Sequence, residues 1–522
     1  MKKLIILGAG IISIFGAATA QETFPNLYIK QISANGKYVA TSNSGVNIIN
    51  TEDNTNVGHP DILLGLGNAI SNNGIAVGDY LDQPIILMGE EEIFPQNLSG
   101  YWLCGINAIT PDGTRLVGFS NNQIDTGEVM GGIMYIPFYA SVDENGHVGA
   151  PVKLPYPEYD FFGFFPQYVT TVWISDDGKT ILGQVANYFG FSYDPIVFTQ
   201  DDKGEWSYER PSRPLFNPDN IEIPDSPFKD APPMPEYEDF MSPESYQVYR
   251  EVLEAWYMGE YPDDDMPTPF DFMTNEEEMA YWEAVEIYIA WLENTENQIN
   301  QYFAIRDRIE ATSVNFGLND LAMNAAGTQF ACSGSLGNGE SDIYLFTLEN
   351  GEWKYEKLES SIKGINPMQI LPDGTISAAE PQIQYSPLKG YIRLPGADDF
   401  ITPAEYLASI NNETYSRWLS ETLPYGSGQV YFNEEMTIMG GGAIFANLAN
   451  FEDIEDFYYF SYILKNINNS NDAVESIKVE TADGKYHVYN LQGMKVAETE
   501  DAASIRNLPK GIYIINGSKV VI

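Results

Sequence analysis

Three histidines, two cysteines and 74 acidic residues are the side chains from which any chemistry of this 522-residue chain must come. His59, His147 and His487 stand far apart; His147 follows the turn-like run Asp143-Glu144-Asn145-Gly146, and His487 lies near the C-terminal end. No His-x-x-x-His and no close cysteine pair is present, so the usual spacing of a transition-metal site is missing. Nor is there a Gly-x-Ser-x-Gly elbow, a phosphate loop or a dinucleotide fingerprint. Carboxylates alone suffice for glycoside hydrolysis, which needs two of them roughly 5 to 10 Å apart. The spacing singles out no such pair. Asp112, Asp177 and Asp373 belong to a repeated turn motif, and Asp263-Asp264-Asp265 sits in a proline-flanked loop that reads as solvated rather than as a Ca²⁺ site. No catalytic residue, metal ligand or cofactor is assigned on this basis, and the chain reads as a non-enzyme.

Aromatic residues give the one hint of a ligand. They make up 13% of the chain, and Phe161, Phe162, Phe164, Phe165 and Tyr168 cluster in a single loop. Rings exposed there would stack on sugar faces or on a protein partner; the competing reading buries them under neighbouring structure.

The elements that must position these residues repeat. An apolar residue followed by a small polar pair and Gly recurs as Ile32-Ser33-Ala34-Asn35-Gly36, Ile70-Ser71-Asn72-Asn73-Gly74, Ile109-Thr110-Pro111-Asp112-Gly113 and Ile174-Ser175-Asp176-Asp177-Gly178. Weaker copies are Met323-Asn324-Ala325-Ala326-Gly327, Ile370-Leu371-Pro372-Asp373-Gly374 and Phe432-Asn433-Glu434-Glu435. Asn or Asp before Gly suits a two-residue hairpin turn, so each copy is read as a hairpin and not as a site. A second hairpin follows several copies, at Asp143 to Gly146, Asp201 to Gly204 and Glu349 to Gly351. Two hairpins per repeat make a four-stranded sheet, and such units every forty to sixty residues are the signature of a β-propeller. The copies resemble the HAF-type and WD-like propeller repeats, which implies a mainly β, multi-bladed propeller of about seven blades over residues 25 to 465. The strand-like run Phe457 to Leu464 has no hairpin partner of its own and is expected to complete the first blade.

A Pro-rich linker and helical insertion, residues 208–311, separate a first set of blades (21–207) from a second (312–468). Ser242-Pro243 and the capping box Thr274-Asn275-Glu276-Glu277 mark two helix starts. Tyr281, Val285, Tyr288 and Leu292 then form a stripe, and two antiparallel helices lying over the propeller are expected. Cys104 and Cys332 read as small buried hydrophobes in a fold that does not depend on disulfides.

The ends speak of transport. Lys2 and Lys3, the apolar run Leu4 to Ala17 and Ala18-Thr19-Ala20 form the three parts of a secretory leader, residues 1–20. No later run is long and apolar enough to span a bilayer. A formal charge of −47 repels nucleic acid and anionic lipid. Residues 469–522 read as a small β-sandwich, and Val488-Tyr489-Asn490-Leu491-Gln492-Gly493 with Leu508-Pro509-Lys510-Gly511-Ile512-Tyr513 closely resembles the type A C-terminal sorting domain of type IX secretion cargo in the Bacteroidetes. That resemblance implies export to the cell surface or medium, with the secretion machinery as partner of the tail; the periplasm is the alternative. The function expected is that of a surface binding or interaction protein for a glycan or protein ligand. Two alternatives stand beside it: a carbohydrate-active enzyme with paired carboxylates at the propeller face, and an envelope assembly partner.

Overall fold

The computed structural model describes residues 21–468 apart from the segments 26–27, 43–44, 82, 96–103, 122–134, 158–167, 187–192, 229, 258–265, 338, 382–388, 424–427 and 447–456, together with 486–490, 495–499, 512–515 and 518–521. Antiparallel sheets succeed one another along the chain. Tyr28–Ile32, Tyr38–Ser42, Gly45–Asn50 and Asn56–Pro60 form the first, and Leu63–Leu64, Ile75–Tyr80, Gln83–Met88 and Glu91–Ile93 the second. The next two, headed by Cys104–Ile109 and Tyr168–Ile174, are joined by one bridge between Tyr135 and Tyr168. A further four-stranded sheet begins with Val314–Met323 and a three-stranded one with Asn366–Ile370. This is β-propeller architecture, in which each sheet buries both faces against its neighbours.

The burial pattern follows from that packing. Strands such as Thr180–Ala186 and Gln83–Met88 are buried residue after residue instead of alternating, because no face is left to water. The largest apolar clusters fill the spaces between successive sheets; one joins Ile75, Val77 and Ile86 to Ile106 and Leu116. Cys104 and Cys332 are free and buried, as their apolar surroundings suggested. Burial pushes the Cys104 thiol up to about 12.

Six of the seven copies of the sequence motif end the first strand of a repeat, and the second follows Leu63–Leu64 after a gap, with Ile70 bridging Ala76, but the turn is not the two-residue one. Ser33 and Tyr38 close a four-residue loop through Ser33 N–H to Tyr38 O (2.8 Å), and Gly36 N–H bonds back to Ser33 O (2.8 Å). Only the glycine takes a positive φ, from +66° to +89° across Gly36, Gly74, Gly113, Gly178, Gly327 and Gly374. In the degenerate copy Met436 holds that conformation at +53°. The preceding Asp or Asn spends its side chain on the turn: Asp177 Oδ1 accepts from Ser175 Oγ (2.7 Å) and Lys179 N–H (2.9 Å). A true two-residue turn is Asn350-Gly351, with both φ values positive between the paired Glu349 and Glu352.

The strand expected to complete the first blade belongs elsewhere. Phe457–Lys465 lies in the last sheet, flanked by Ile438–Ala446 on one side and Gln21–Pro25 on the other. The N-terminal strand thus pairs with the end of the repeats, with Gln21 opposite Leu464. That last sheet also packs on the first through Tyr431 and Ile463 against Ile29 and Val39.

Two further departures concern helices. Pro403–Ser409 and Glu413–Thr422 follow the three-stranded sheet and plug the space beside it with Tyr406, Leu407, Trp418 and Leu419. The helices of the insertion, Pro243–Tyr257 and Asn275–Thr312, begin where expected but do not pair antiparallel. Their N-terminal ends meet, because Glu277 accepts from Ser242 N–H (2.6 Å) as well as from Thr274 N–H (2.7 Å). Among the described residues no helix is long and apolar enough to cross a membrane. The described part of the tail is one four-stranded antiparallel sheet.

Candidate functional site

The ends of the first strands converge on one cavity. Its lining draws on all seven motif copies, from Gln31 and Ile32 through Asn68, Ile70, Pro111, Trp173, Ile174, Met323, Ile370 and Phe432, and its volume is about 80 Å³. Two local devices shape it. A β-bulge interrupts the first strand just before the motif, between Ile29 and Gln31, Ile106 and Ala108, Thr171 and Trp173, and Pro367 and Gln369. The bulge re-aims the following side chain, which reaches the next sheet's backbone. Gln31 Oε1 accepts from Ala69 N–H (2.5 Å), Trp173 Nε1 donates to Leu321 O (2.9 Å), and Gln369 exchanges two bonds with Phe432 at 2.8 and 3.1 Å.

The second device is the variable position of the motif, between the hydroxyl residue and the turn Asp or Asn. Its occupants are Ala34, Asn72, Pro111, Asp176, Ala325, Pro372 and Glu434, and all but Asn72 line the cavity. Asn72 is instead engaged with Asn35, whose N–H it accepts at 2.8 Å. Backbone bonds stitch these positions together: Asn72 N–H to Pro111 O (2.7 Å), Asp176 N–H to Ala325 O (2.9 Å) and Glu434 N–H to Ala34 O (3.0 Å).

Asp176 and Glu434 come from opposite parts of the chain to the same mouth. The surrounding loops desolvate the Asp176 carboxyl, and the hydrogen-bonded Glu434 beside it adds repulsion, raising Asp176 to about 7. Its outer side still faces water, so it is a rim group and not a core acid. Beside Glu434, the Asp176 carboxyl therefore keeps its proton into the neutral range. Another elevated acid, Asp320, is separate: burial lifts it to about 6, and it accepts from Asn366 Nδ2 (2.6 Å).

Sequence reasoning treated the turn acids as structural, and Asp112, Asp177 and Asp373 do serve their turns. It missed the residue next door, although that position stands in plain sight in every repeat. Phe161, Phe162, Phe164 and Phe165 lie outside the described residues, as does Asp263-Asp264-Asp265. Tyr168 opens the strand Tyr168–Ile174, opposite Ala186. His59 is a buried clasp between the first two sheets, with Nδ1 at 3.0 Å from Glu92 Oε1 and Nε2 at 2.9 Å from Gly89 O. His147 is exposed on its own turn, 3.1 Å from Asp143 Oδ2.

No protein-family model matches the sequence. No curated protein matches it either. Among solved structures the chain is similar to TolB from Acinetobacter baumannii, at 11% identity and a TM-score of 0.27 over 65% of this chain and 54% of that one. It is similar to the β-propeller domain of the Trilobed protease from Pyrococcus furiosus, at 10% identity and 0.29 over 80% and 78%. It is also similar to Pyrococcus horikoshii acylaminoacyl peptidase, at 10% identity and 0.35 over 80% and 49%. The chain spans about half the length of the TolB and peptidase chains. One expectation from the sequence is corrected by this last finding: solved chains that resemble this one include an enzyme, so lacking a catalytic signature does not make the chain a non-enzyme.

Proposed function

We propose that the chain is an exported, closed seven-bladed β-propeller that acts as a binding protein, and that its recognition surface is the mouth where the motif turns converge. The observation that carries this reading is the Asp176–Glu434 pair over a cavity of about 80 Å³. Pockets for whole small-molecule ligands run to roughly 300–1,000 Å³, so this one suits a head group rather than a sugar ring. A carboxyl pair selects a cation; a lysine or N-terminal ammonium of a protein ligand fits both size and charge. Closure is supported by the pairing of Gln21–Pro25 with Phe457–Lys465 and by the Glu434 to Ala34 bond. The leader-like start and sorting-domain-like tail support export by type IX machinery to the surface.

The test is calorimetric titration with lysine-containing peptides at pH 5.5 and 8. Because the pair gains negative charge as Asp176 ionises, binding should tighten with rising pH, and Asp176→Asn or Glu434→Gln should weaken it. Binding that is indifferent to both variants sinks the reading.

One observation favours a second reading. Hydrogen-bonded carboxyls with one raised pKa are poised as a proton-sharing dyad, an arrangement that serves acid–base hydrolysis. Their contact is shorter than the separation glycoside hydrolysis needs, so this pair lends no support to the carbohydrate-active alternative. Turnover of a peptide panel, abolished by Asp176→Asn, would establish the dyad reading.

A further inference from the structure

The long helix Asn275–Thr312 leaves one of its faces largely uncovered. Tyr281 packs on Phe240 and Phe270, and Trp291 on Phe228, so the stripe Tyr281, Val285, Tyr288 and Leu292 is half-buried against the linker. One position on, about 100° round the helix, Glu278, Trp282, Glu286, Ile289, Glu293 and Glu296 recur at spacings of four and three, the spacing of a helix–helix seam. This second seam faces solvent: Trp282 is 48% and Ile289 47% exposed, and the adjacent Met279 73%.

We propose that this seam docks a basic amphipathic helix of another protein. Charge identifies the occupant. Residues 231–305 hold 18 acids and a single base, Arg250, and Asn275–Asn297 hold seven glutamates and no base at all. The described ion pairs of this helix lie at its far end, on Arg306. Like charges three or four residues apart on a helix destabilise it, and a Lys/Arg-rich partner relieves them. The same sign repels a second copy of this chain, an anionic membrane and nucleic acid. Geometry supplies the anchor. Trp282 stacks on Phe270, with ring centres 5.8 Å apart and planes at 7°, and its indole N–H points to Glu278 Oε1 (3.4 Å). A ring held in this way loses little freedom on binding, which is what makes aromatic residues interface hot spots. The seam is independent of the carboxyl mouth.

The probe is a synthetic Leu/Lys heptad peptide of about twenty residues, titrated into the full chain, with a Leu/Glu peptide of the same length as control. The Leu/Lys peptide should bind, and should weaken steeply from about 0.05 to 0.5 M NaCl. Trp282→Ala and the pair Glu286→Lys/Glu293→Lys should each weaken it by about tenfold or more. Glu90→Lys/Glu91→Lys, on the exposed turn of the second sheet, should leave it unchanged. Equal loss from the distant pair, or no loss from Trp282→Ala, overturns the proposal. If Trp282→Ala lowers helicity, amide exchange of the unmodified chain decides: slowing across 278–296 on adding peptide supports the seam, and its absence overturns it.

Discussion

The propeller sheets and the helical arm use the same aromatic residues to opposite ends. In the sheets Phe330 and Phe346 stack at 4.5 Å and are wholly buried, within a cluster shared by strands from different repeats. In the arm Trp282 and Phe270 stack as flatly, at 7°, yet remain 48% and 37% exposed. A repeat gains its second wall from the next repeat, whereas an insertion has only the linker that carries it. Burial in this chain is therefore a property of periodicity more than of hydrophobic content.

The comparison breaks most sharply on truncation. Phe330→Ala should cost about 3–5 kcal/mol of global stability in denaturant unfolding, because the site is packed on all sides. Gly178→Ala should cost about 1–2 kcal/mol, since φ is +68° there and an added Cβ would press on Arg115 at 3.0 Å. Trp282→Ala should move the midpoint by less than about 1 kcal/mol, as befits an exposed ring. A loss at Trp282 equal to that at Phe330 would mean the arm and the sheets unfold as one unit.

Two acids sharpen the contrast through pH. Asp176 has a folded pKa raised from the ordinary 3.8 to about 7, so the folded state holds the extra proton and stability falls as pH climbs through that window. Asp176→Asn should flatten the fall. Glu277 is the reverse case. The N–H groups of Thr274 and Ser242 hold its carboxylate down to about 2 from 4.5, so its contribution is complete above pH 4.5 and disappears as pH drops towards 2. Loss of far-UV helicity in that acid range, ahead of the β signal, and its absence in Glu277→Gln, would show the arm letting go first.

Much of the fold was legible because repeats and caps are local. Six of the seven motif copies end the first strand of a repeat and the seventh follows it closely, and the capping box at Thr274 starts a 38-residue helix. An equally plain box, Thr402-Pro403-Ala404-Glu405, opens the helix Pro403–Ser409 that strand logic passed over. What stayed hidden is long-range. The pairing of Gln21 with Leu464 joins segments more than 440 residues apart that share no local pattern, and the orientation of the insertion helices turned on one glutamate accepting from both N-termini. The Asp176–Glu434 pair was obscured for another reason: the motif draws attention to its Ser, Asp and Gly, and the residue they frame looks like a spacer.

That spacer carries its own consequence. Ser175, Asp177 and Gly178 fix the loop while the residue between them touches none of the turn's side-chain bonds, and the same division of labour holds at Thr110, Asp112 and Gly113. Frame and message are thus separable. The rim can be rewritten one letter at a time, Ala34, Pro111 or Pro372 exchanged for acid, base or ring, with the scaffold indifferent to the spelling.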